Sequence, residues 1–365
     1  MSSVLVVNAG SSSIKLRLLG DDDEVLATSD LQADRRGFDE DGLRAFLHDR
    51  RPDLVGHRVV HGGERFTEAV LLDDDVVRAL DYLTELAPLH QPAAVSGVRH
   101  VREVMPGVPS VACFDTTFHA SLPPAASTYA LPAAWRGRWP LRRFGFHGLS
   151  HAYIARRSAE LMGTAGESLR VVSAHLGAGA SLCAIAGGRS VDTTMGFTPL
   201  EGLVMATRSG SVDPGLVLWL IRQGGLSAAE VEEGLEHDSG LRGLTGEPDA
   251  AALVDEAGQP VSDIAALALD VMTHRLVAAI SSMTAAMGGL DALVFTGGVG
   301  ENHAALRART AARLTFLGVA IGQAANVAAS SDAELSAEGA DVRTFVVAAR
   351  EDLQIAREAR AVLQS

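Results

Sequence analysis

The sequence predicts an α/β protein of two domains, and three observations predict it. A length of 365 residues exceeds what one hydrophobic core usually serves. Short apolar strand-like runs alternate with helical patterns along the chain, without a long linker or low-complexity segment. A strand, a small-residue turn and a return strand near the N-terminus also come back in the second half.

In order, Val4 to Val7 is a continuous apolar run of the kind that forms a buried strand. A Gly/Ser turn follows at Ala9 to Ser12, and Ile14 to Leu19 then reads as the second arm of a hairpin. Leu54 to Val60 and Val108 to Phe114 are further strands, with helices over Asp74 to Leu86, Ala93 to Val104 and Ser150 to Leu161. The hairpin grammar returns as Arg170 to Leu176, the turn Gly177 to Gly179, and Ser181 to Ile185. Two readings are open: an internal duplication, or two glycine-rich hairpins that coincide in a long α/β chain. Later helices fall near Pro214 to Arg222 and Val261 to Ala286. A short strand at Ala292 to Thr296 runs into GGVGEN and a helix from about His303 to Leu317, and Asp352 to Leu363 is an amphipathic helix.

A formal net charge of −14 argues against nucleic acid or an anionic membrane as a partner. It leaves phosphate substrates open, because a few local cations can hold one. The N-terminal MSSVLVVNAGSSS lacks a basic region and a long apolar stretch, so no signal peptide is expected. The densest apolar run, Leu216 to Ile221, is too short to span a bilayer. Cys113 and Cys183 sit in apolar strand-like runs and read as core thiols of a reducing compartment. Of 31 basic residues only Lys15 is lysine, which points to a compact ammonium in NAGSSSIK.

Several segments carry candidate chemistry. Asn8 to Lys15 offers glycine, Ser11, Ser13 and Lys15 to an anion, although the spacing does not fit a Walker-type loop and a plain hairpin tip reads equally well. In GHRVVHGGE, Arg58 lies within an apolar strand, where a guanidinium needs an anionic partner, structural or substrate. His57 and His61 would stand about 13 Å apart along that strand, too far to share a metal. Asp115 closes a strand in VACFDTTFH, where a carboxylate can hold magnesium or simply cap a turn. His147 and His151 have the spacing of a zinc pair, but no third ligand accompanies them, and a histidine donor to phosphate fits better. Gly196 to Gly215 is a long loop rich in glycine that carries Arg208. In LVFTGGVGENHAALR, a strand, a double glycine and a helix start make an anion site suited to a nucleotide.

Together these strings closely resemble the acetate kinase family: VVNAGSSSIK, GHRVVHGGE, APLHQPA, FDTTFH, FGFHGLSH, HLGAG, SVDTTMGFTPLEGL, TRSGSVDP and FTGGVGEN, in order over nearly the whole chain. That family belongs to the superfamily of sugar kinases, actin and heat-shock ATPases. The resemblance implies two duplicated actin-like (ribonuclease H-like) α/β domains facing across a cleft. It places the first at residues 1–115 plus 353–365 and the nucleotide-binding and dimerisation domain at 116–352. It implies reversible transfer of the ATP γ-phosphoryl to acetate or propionate, with Mg2+ or Mn2+, in a cytoplasmic homodimer. By position it assigns Asn8, Asp115 and Glu351 to the metal, and Arg58 and Arg208 to the carboxylate and the phosphoryl group in flight. It makes His147 a donor to that group. Phosphate or nucleotide binding falls to Ser11, Ser13, Lys15, His90, His175, Gly177, Gly179, Gly297, Gly298, Gly300 and Asn302. Val60, Leu89, Phe146 and Pro199 are the expected wall around the acid's methyl end.

The chain departs from the family pattern in three places. HLGNG is here HLGAG, with Ala178 near the expected phosphates. The segment GLRGLTGEPDAAALVD keeps Asp249 but lacks the Asp-x-Arg that follows this motif in the family. Thr-Asn-Glu-Glu becomes Ala349-Arg350-Glu351-Asp352. These changes touch nucleotide contacts, so a donor such as pyrophosphate and a degenerate, non-catalytic binding protein are the competing expectations. A sugar kinase or ATPase of the same superfamily would need a large polar pocket instead of small apolar walls.

Overall fold

The computed structural model describes residues 3–9, 13–34, 37–86, 91–164, 166, 168–330 and 332–364. The chain divides into two compact units: residues 1–120, 146–153 and 350–365 in one, and 121–145 and 154–349 in the other. The sequence division put 146–153 in the second domain. In the structure this segment packs within the first unit, where Gly148 N donates to Asp115 O at 2.8 Å and Leu149 joins a cluster with Val4, Val6 and Ile355.

The first unit holds β1 (Val4–Ala9), β2 (Ser13–Leu19), β3 (Val25–Asp34), β4 (Gly37–Phe38), β5 (Leu54–Val59), β6 (Val70–Leu71) and β7 (Ser110–Phe114). They form one sheet in the order β4-β3-β2-β1-β5-β7-β6. Strand alternation sorts the apolar residues onto two faces. Leu5, Val7, Ile14 and Leu16 pack with Ala94 and Val101 of the helix Gln91–Val104. Val4, Val6, Leu19 and Leu54 pack with Ile355, Ala356 and Ala359 of the C-terminal helix Glu351–Gln364. Gly56 in β5 permits that close packing, since a Cβ there would lie 2.6 Å from Ile355 Cγ2.

The second unit holds β8 (Arg170–Leu176), β9 (Ala180–Ala186), β10 (Arg189–Thr193), β11 (Ala292–Thr296), β12 (Ala333–Glu334) and β13 (Arg343–Val346), in the order β10-β9-β8-β11-β13-β12. Strand directions agree pair by pair with those of β3-β2-β1-β5-β7-β6. The repeated hairpin is therefore part of a duplicated α/β unit rather than a coincidence, and β4 is an extra edge strand of the first copy.

The helix Asp263–Met287 is long and apolar enough to cross a membrane by length and composition. Its buried residues Leu269, Met272, Leu276 and Ile280 belong to the core of the second unit, against β8, β9 and β10. Ser262 caps its start by accepting from Ala265 N, and Gly288 ends it with φ 68°. The segment expected as one helix from His303 to Leu317 is a helix Ala304–Ala312 followed by a 3-10 turn at Thr315–Leu317. The expected helix through Leu86 likewise ends at Tyr82 and continues as a 3-10 turn.

Candidate active site

In the first unit, parallel pairing brings the C-terminal ends of β1, β5 and β7 side by side, with Val7 opposite His57 and Arg58 opposite Cys113. Ligand-binding groups of open α/β sheets collect at this edge. Asn8 lies at the end of β1, Arg58 near the end of β5, Asp115 just beyond β7, and Glu351 opens the C-terminal helix. Arg58 Nε donates to both oxygens of Asp115 at 3.1 Å, and Nη2 donates to Oδ2 at 2.6 Å. Arg58 Nη1 donates to Asn8 Oδ1 at 3.3 Å, and Asn8 Nδ2 donates to Glu351 Oε2 at 3.0 Å. The Asp115 side chain is 1% exposed and that of Arg58 16%.

The electrostatics follow from that burial. Desolvation would lower the Arg58 guanidinium, but Asp115 and Glu351 outweigh it and hold the group above its ordinary value. Burial pushes the Asp115 carboxyl up, and Arg58 opposes the rise. The three metal candidates offer oxygen atoms, the hard donors that magnesium prefers. Among the described residues no group of three His, Cys, Asp or Glu could hold a metal by itself. Two carboxylates and an amide suit an ion that takes its remaining ligands from phosphates and water.

His147 stands immediately before the helix Gly148–Met162 with φ 55°, in the left-handed region, and is half-buried. Gly148 N anchors this corner on the Asp115 carbonyl, where a Cβ would collide. His151 is buried with its ring edge against His119, so the zinc reading finds no third ligand among the described residues. Phe146 and Val60 are buried, and the Phe146 ring meets His61 edge-on at 5.5 Å. His119 Nε2 donates to Phe146 O at 3.1 Å. Burial lowers His61 to about 4, and burial together with Arg102 lowers His57 to about 3, so both imidazoles are neutral core groups. Lys15 is exposed on β2 opposite Asn8. Ser11, Leu89, His90 and the Ser13 side chain lie outside the described residues.

In the second unit, His175 is the last residue but one of β8 and pairs with Thr296 at the end of β11. Gly177 N donates to Gly179 O at 2.9 Å across the turn, and Ala178 O accepts from Ala206 N at 3.2 Å. The backbone of Ala178 thus ties the hairpin tip to the loop that carries Arg208. The double glycine does not precede a helix as expected; it is the start of a short helix, Gly297–Asn302, with Gly297 at φ 79°. Asn302 Nδ2 donates to Gly298 O at 2.9 Å within it. Asp249 accepts from Ala251 N and caps a 3-10 turn.

Sequence reasoning missed four side chains that shape this unit: Arg307, Tyr129, Arg143 and Glu236. Arg307 is 2% exposed, and its Nη1 donates to Gly300 O at 2.9 Å and Glu301 O at 2.7 Å. Its Nε and Nη2 donate to Asn326 Oδ1 and Asn326 O, each at 2.8 Å. The 196–201 stretch is pinned by Tyr129, whose hydroxyl donates to Glu201 at 2.6 Å and accepts from Phe197 N at 2.9 Å. Arg143 donates to the same carboxylate at 2.8 Å. Glu236 forms an ion pair with Arg208 at 3.3 Å. No local pattern marks these residues; each matters through a contact distant in sequence.

The chain matches the model of the acetokinase family over residues 47–357. It is 45% identical to the acetate kinase of Leifsonia xyli subsp. xyli over 395 aligned positions, covering 98% of both chains. It is 47% identical to that of Synechococcus sp. over 310, covering 85% of this chain and 76% of the relative. The Porphyromonas gingivalis acetate kinase crystal structure superposes with a TM-score of 0.90 at 34% identity over 100% of both chains. A propionate kinase from Francisella tularensis gives 0.91 at 33% identity over 99% of this chain and 100% of its own. With its duplicated sheets, its strand-end cluster and these likenesses, the chain belongs to the acetokinase family.

Proposed function

We propose that this protein is a magnesium-dependent acetate kinase that reversibly transfers the γ-phosphoryl group of ATP to a carboxylate oxygen of acetate or propionate. The observation that carries this reading is the Asn8–Arg58–Asp115–Glu351 cluster on the strand ends of a chain of this family.

Such a transfer must bring two anions into line and neutralise charge on the moving group; it needs little covalent help from the protein. A carboxylate oxygen forms the new P–O bond as the bond to the bridging oxygen breaks, and that electron pair leaves with ADP. In the first unit, Arg58 would grip the acid, with Asp115 fixing the plane of its guanidinium. His147 would donate to the transferring phosphoryl, while Val60 and Phe146 supply apolar wall to the acid's methyl end. Asn8, Asp115 and Glu351 would hold magnesium, which when bound screens the phosphate charge. In the second unit, Arg208 would grip phosphoryl oxygens. His175, the 177–179 turn and the 297–302 helix would receive the nucleotide phosphates.

The same reading includes a cytoplasmic homodimer. Its support is the helix Pro214–Arg222, which buries none of its residues and exposes Leu216, Leu218, Trp219 and Ile221. Light scattering that finds only monomer at micromolar concentration would remove the dimer.

The activity is tested by trapping acyl phosphate with hydroxylamine, using acetate, propionate or butyrate with ATP, GTP or pyrophosphate. Hydroxamate with ATP is the expected result. Product with pyrophosphate alone would replace the donor, and no product from folded protein with any pair would overturn the reading.

A further inference from the structure

Arg208 is held at both ends of its guanidinium by its own unit. Nη1 donates to Pro199 O at 3.1 Å, with Met205 Sδ 3.7 Å away, and Nε faces Glu236 Oε2 at 3.3 Å. The two side chains are 19% and 11% exposed. Glu236 lies in the last turn of the helix Ala228–His237. Its place opposite Arg208 is set by the backbone: Ser209 N donates to Leu235 O at 3.0 Å, and Thr207 Oγ1 to Glu236 O at 2.9 Å. Ser239 N returns a bond to Thr207 O at 2.9 Å. Residues on both sides of Arg208 are therefore stitched to residues on both sides of Glu236, and the ion pair is built in. Burial lowers Arg208 while Glu236 opposes it, and burial raises Glu236 while Arg208 opposes it.

We propose that Glu236 is the positioning residue of Arg208: it fixes the guanidinium for the incoming anion and competes with that anion for its charge. The proposal rests on the reading that Arg208 grips the anionic substrate. A guanidinium already facing a carboxylate presents a reduced field, so the substrate anion must displace part of that interaction. Glu236 thereby trades affinity for a fixed geometry, and removing only its charge should tighten substrate binding without disturbing the chemical step.

The test is steady-state kinetics of E236Q, E236A and E236D beside wild type and R208A, in both reaction directions, with thermal melts of each. E236Q keeps a side chain of equal reach and loses the charge. Its KM for ATP and acetyl phosphate, the substrates that carry the phosphoryl group, is expected to fall about fivefold, the scale of one partly exposed charge pair, with kcat changed by less than about twofold. E236A also frees the guanidinium, and its kcat is expected to fall about tenfold. E236D keeps the charge at shorter reach and should lose kcat without a lower KM. A role confined to folding predicts losses that follow the melting temperatures with KM unmoved. Unchanged or raised KM in E236Q, with wild type active and R208A impaired, overturns the role of Glu236 alone. If R208A retains near-normal turnover, the reading of Arg208 fails first. If E236Q does not fold, a KM in E236A no lower than in E236D overturns the proposal, and a lower one supports it.

Discussion

Arg58 and Asp115, 57 residues apart in sequence, form a forked ion pair with Nη2 2.6 Å from Oδ2, nearly sealed from solvent. The pair joins the ends of two parallel strands, so one contact fixes the plane of the Arg58 guanidinium at that edge of the sheet. Arg58→Ala is expected to abolish most turnover and to cost about 3–5 kcal/mol of stability, because it leaves a buried carboxylate without compensation. Arg58→Ala/Asp115→Ala should recover part of the stability and none of the activity. Denaturant titrations and acyl phosphate assays on the three proteins check this; equal stability of the single and double variants would contradict it.

Glu351 accepts from Asn8 at 3.0 Å and contributes one of the two carboxylates assigned to magnesium. Glu351→Gln is expected to keep the fold and to raise the magnesium concentration for half-maximal activity by about tenfold or more, the usual scale for loss of a metal-site partner. Chelation should abolish wild-type activity, and returned Mg2+ or Mn2+ should restore it. Wild-type turnover that survives thorough chelation would remove the metal from the account.

Acid should destabilise the first unit through its neutral histidines. His57 is lowered to about 3 and His61 to about 4 by burial, against 6.5 when unfolded. Below pH 6.5 the unfolded chain takes up protons that the folded chain refuses, so stability falls as pH falls from 6.5 toward those values. Each histidine accounts for about 2 kcal/mol between pH 8 and pH 5. His57 Nε2 has no hydrogen-bond partner among the described residues, so His57→Leu should hold stability at pH 8 and flatten the acid slope. Denaturant midpoints at both pH values give the answer, and an unchanged slope in the variant would contradict it.

Arg307 holds Gly300, Glu301 and Asn326 together inside the second unit. Arg307→Lys keeps the charge but loses the planar fork, and should cost about 2–3 kcal/mol with a raised KM for ATP. A melting temperature and KM like those of wild type would show that the 297–302 helix does not depend on this side chain.

Much of the fold was legible because its signals are local. The runs at 4–7, 108–114 and 292–296 are mostly apolar and contain the buried strands β1, β7 and β11, and the hairpin arm 14–19 was equally plain. β3 was not foreseen, since an outer strand with exposed Val25 and Leu26 lacks that contrast. Of the candidate site, the need of Arg58 for an anionic partner was readable from a guanidinium in an apolar strand, and Asp115 supplies it. That Asp115 would be that structural partner was not readable, because strand order decides it. Glu236 sat unmarked in an acidic helix, and Arg307 in an ordinary amphipathic one.

In the proposed mechanism, phosphoryl transfer to a carboxylate depends on the Arg58–Asp115 pair. Its most direct test is 31P NMR of purified protein with ATP, Mg2+ and acetate, followed in time and repeated with Arg58→Ala. Loss of the γ-phosphate resonance with matching growth of acetyl phosphate in wild type, and neither change with the variant, is the expected result. ATP turned over to free phosphate without acetyl phosphate, or an equal rate in the variant, would contradict it.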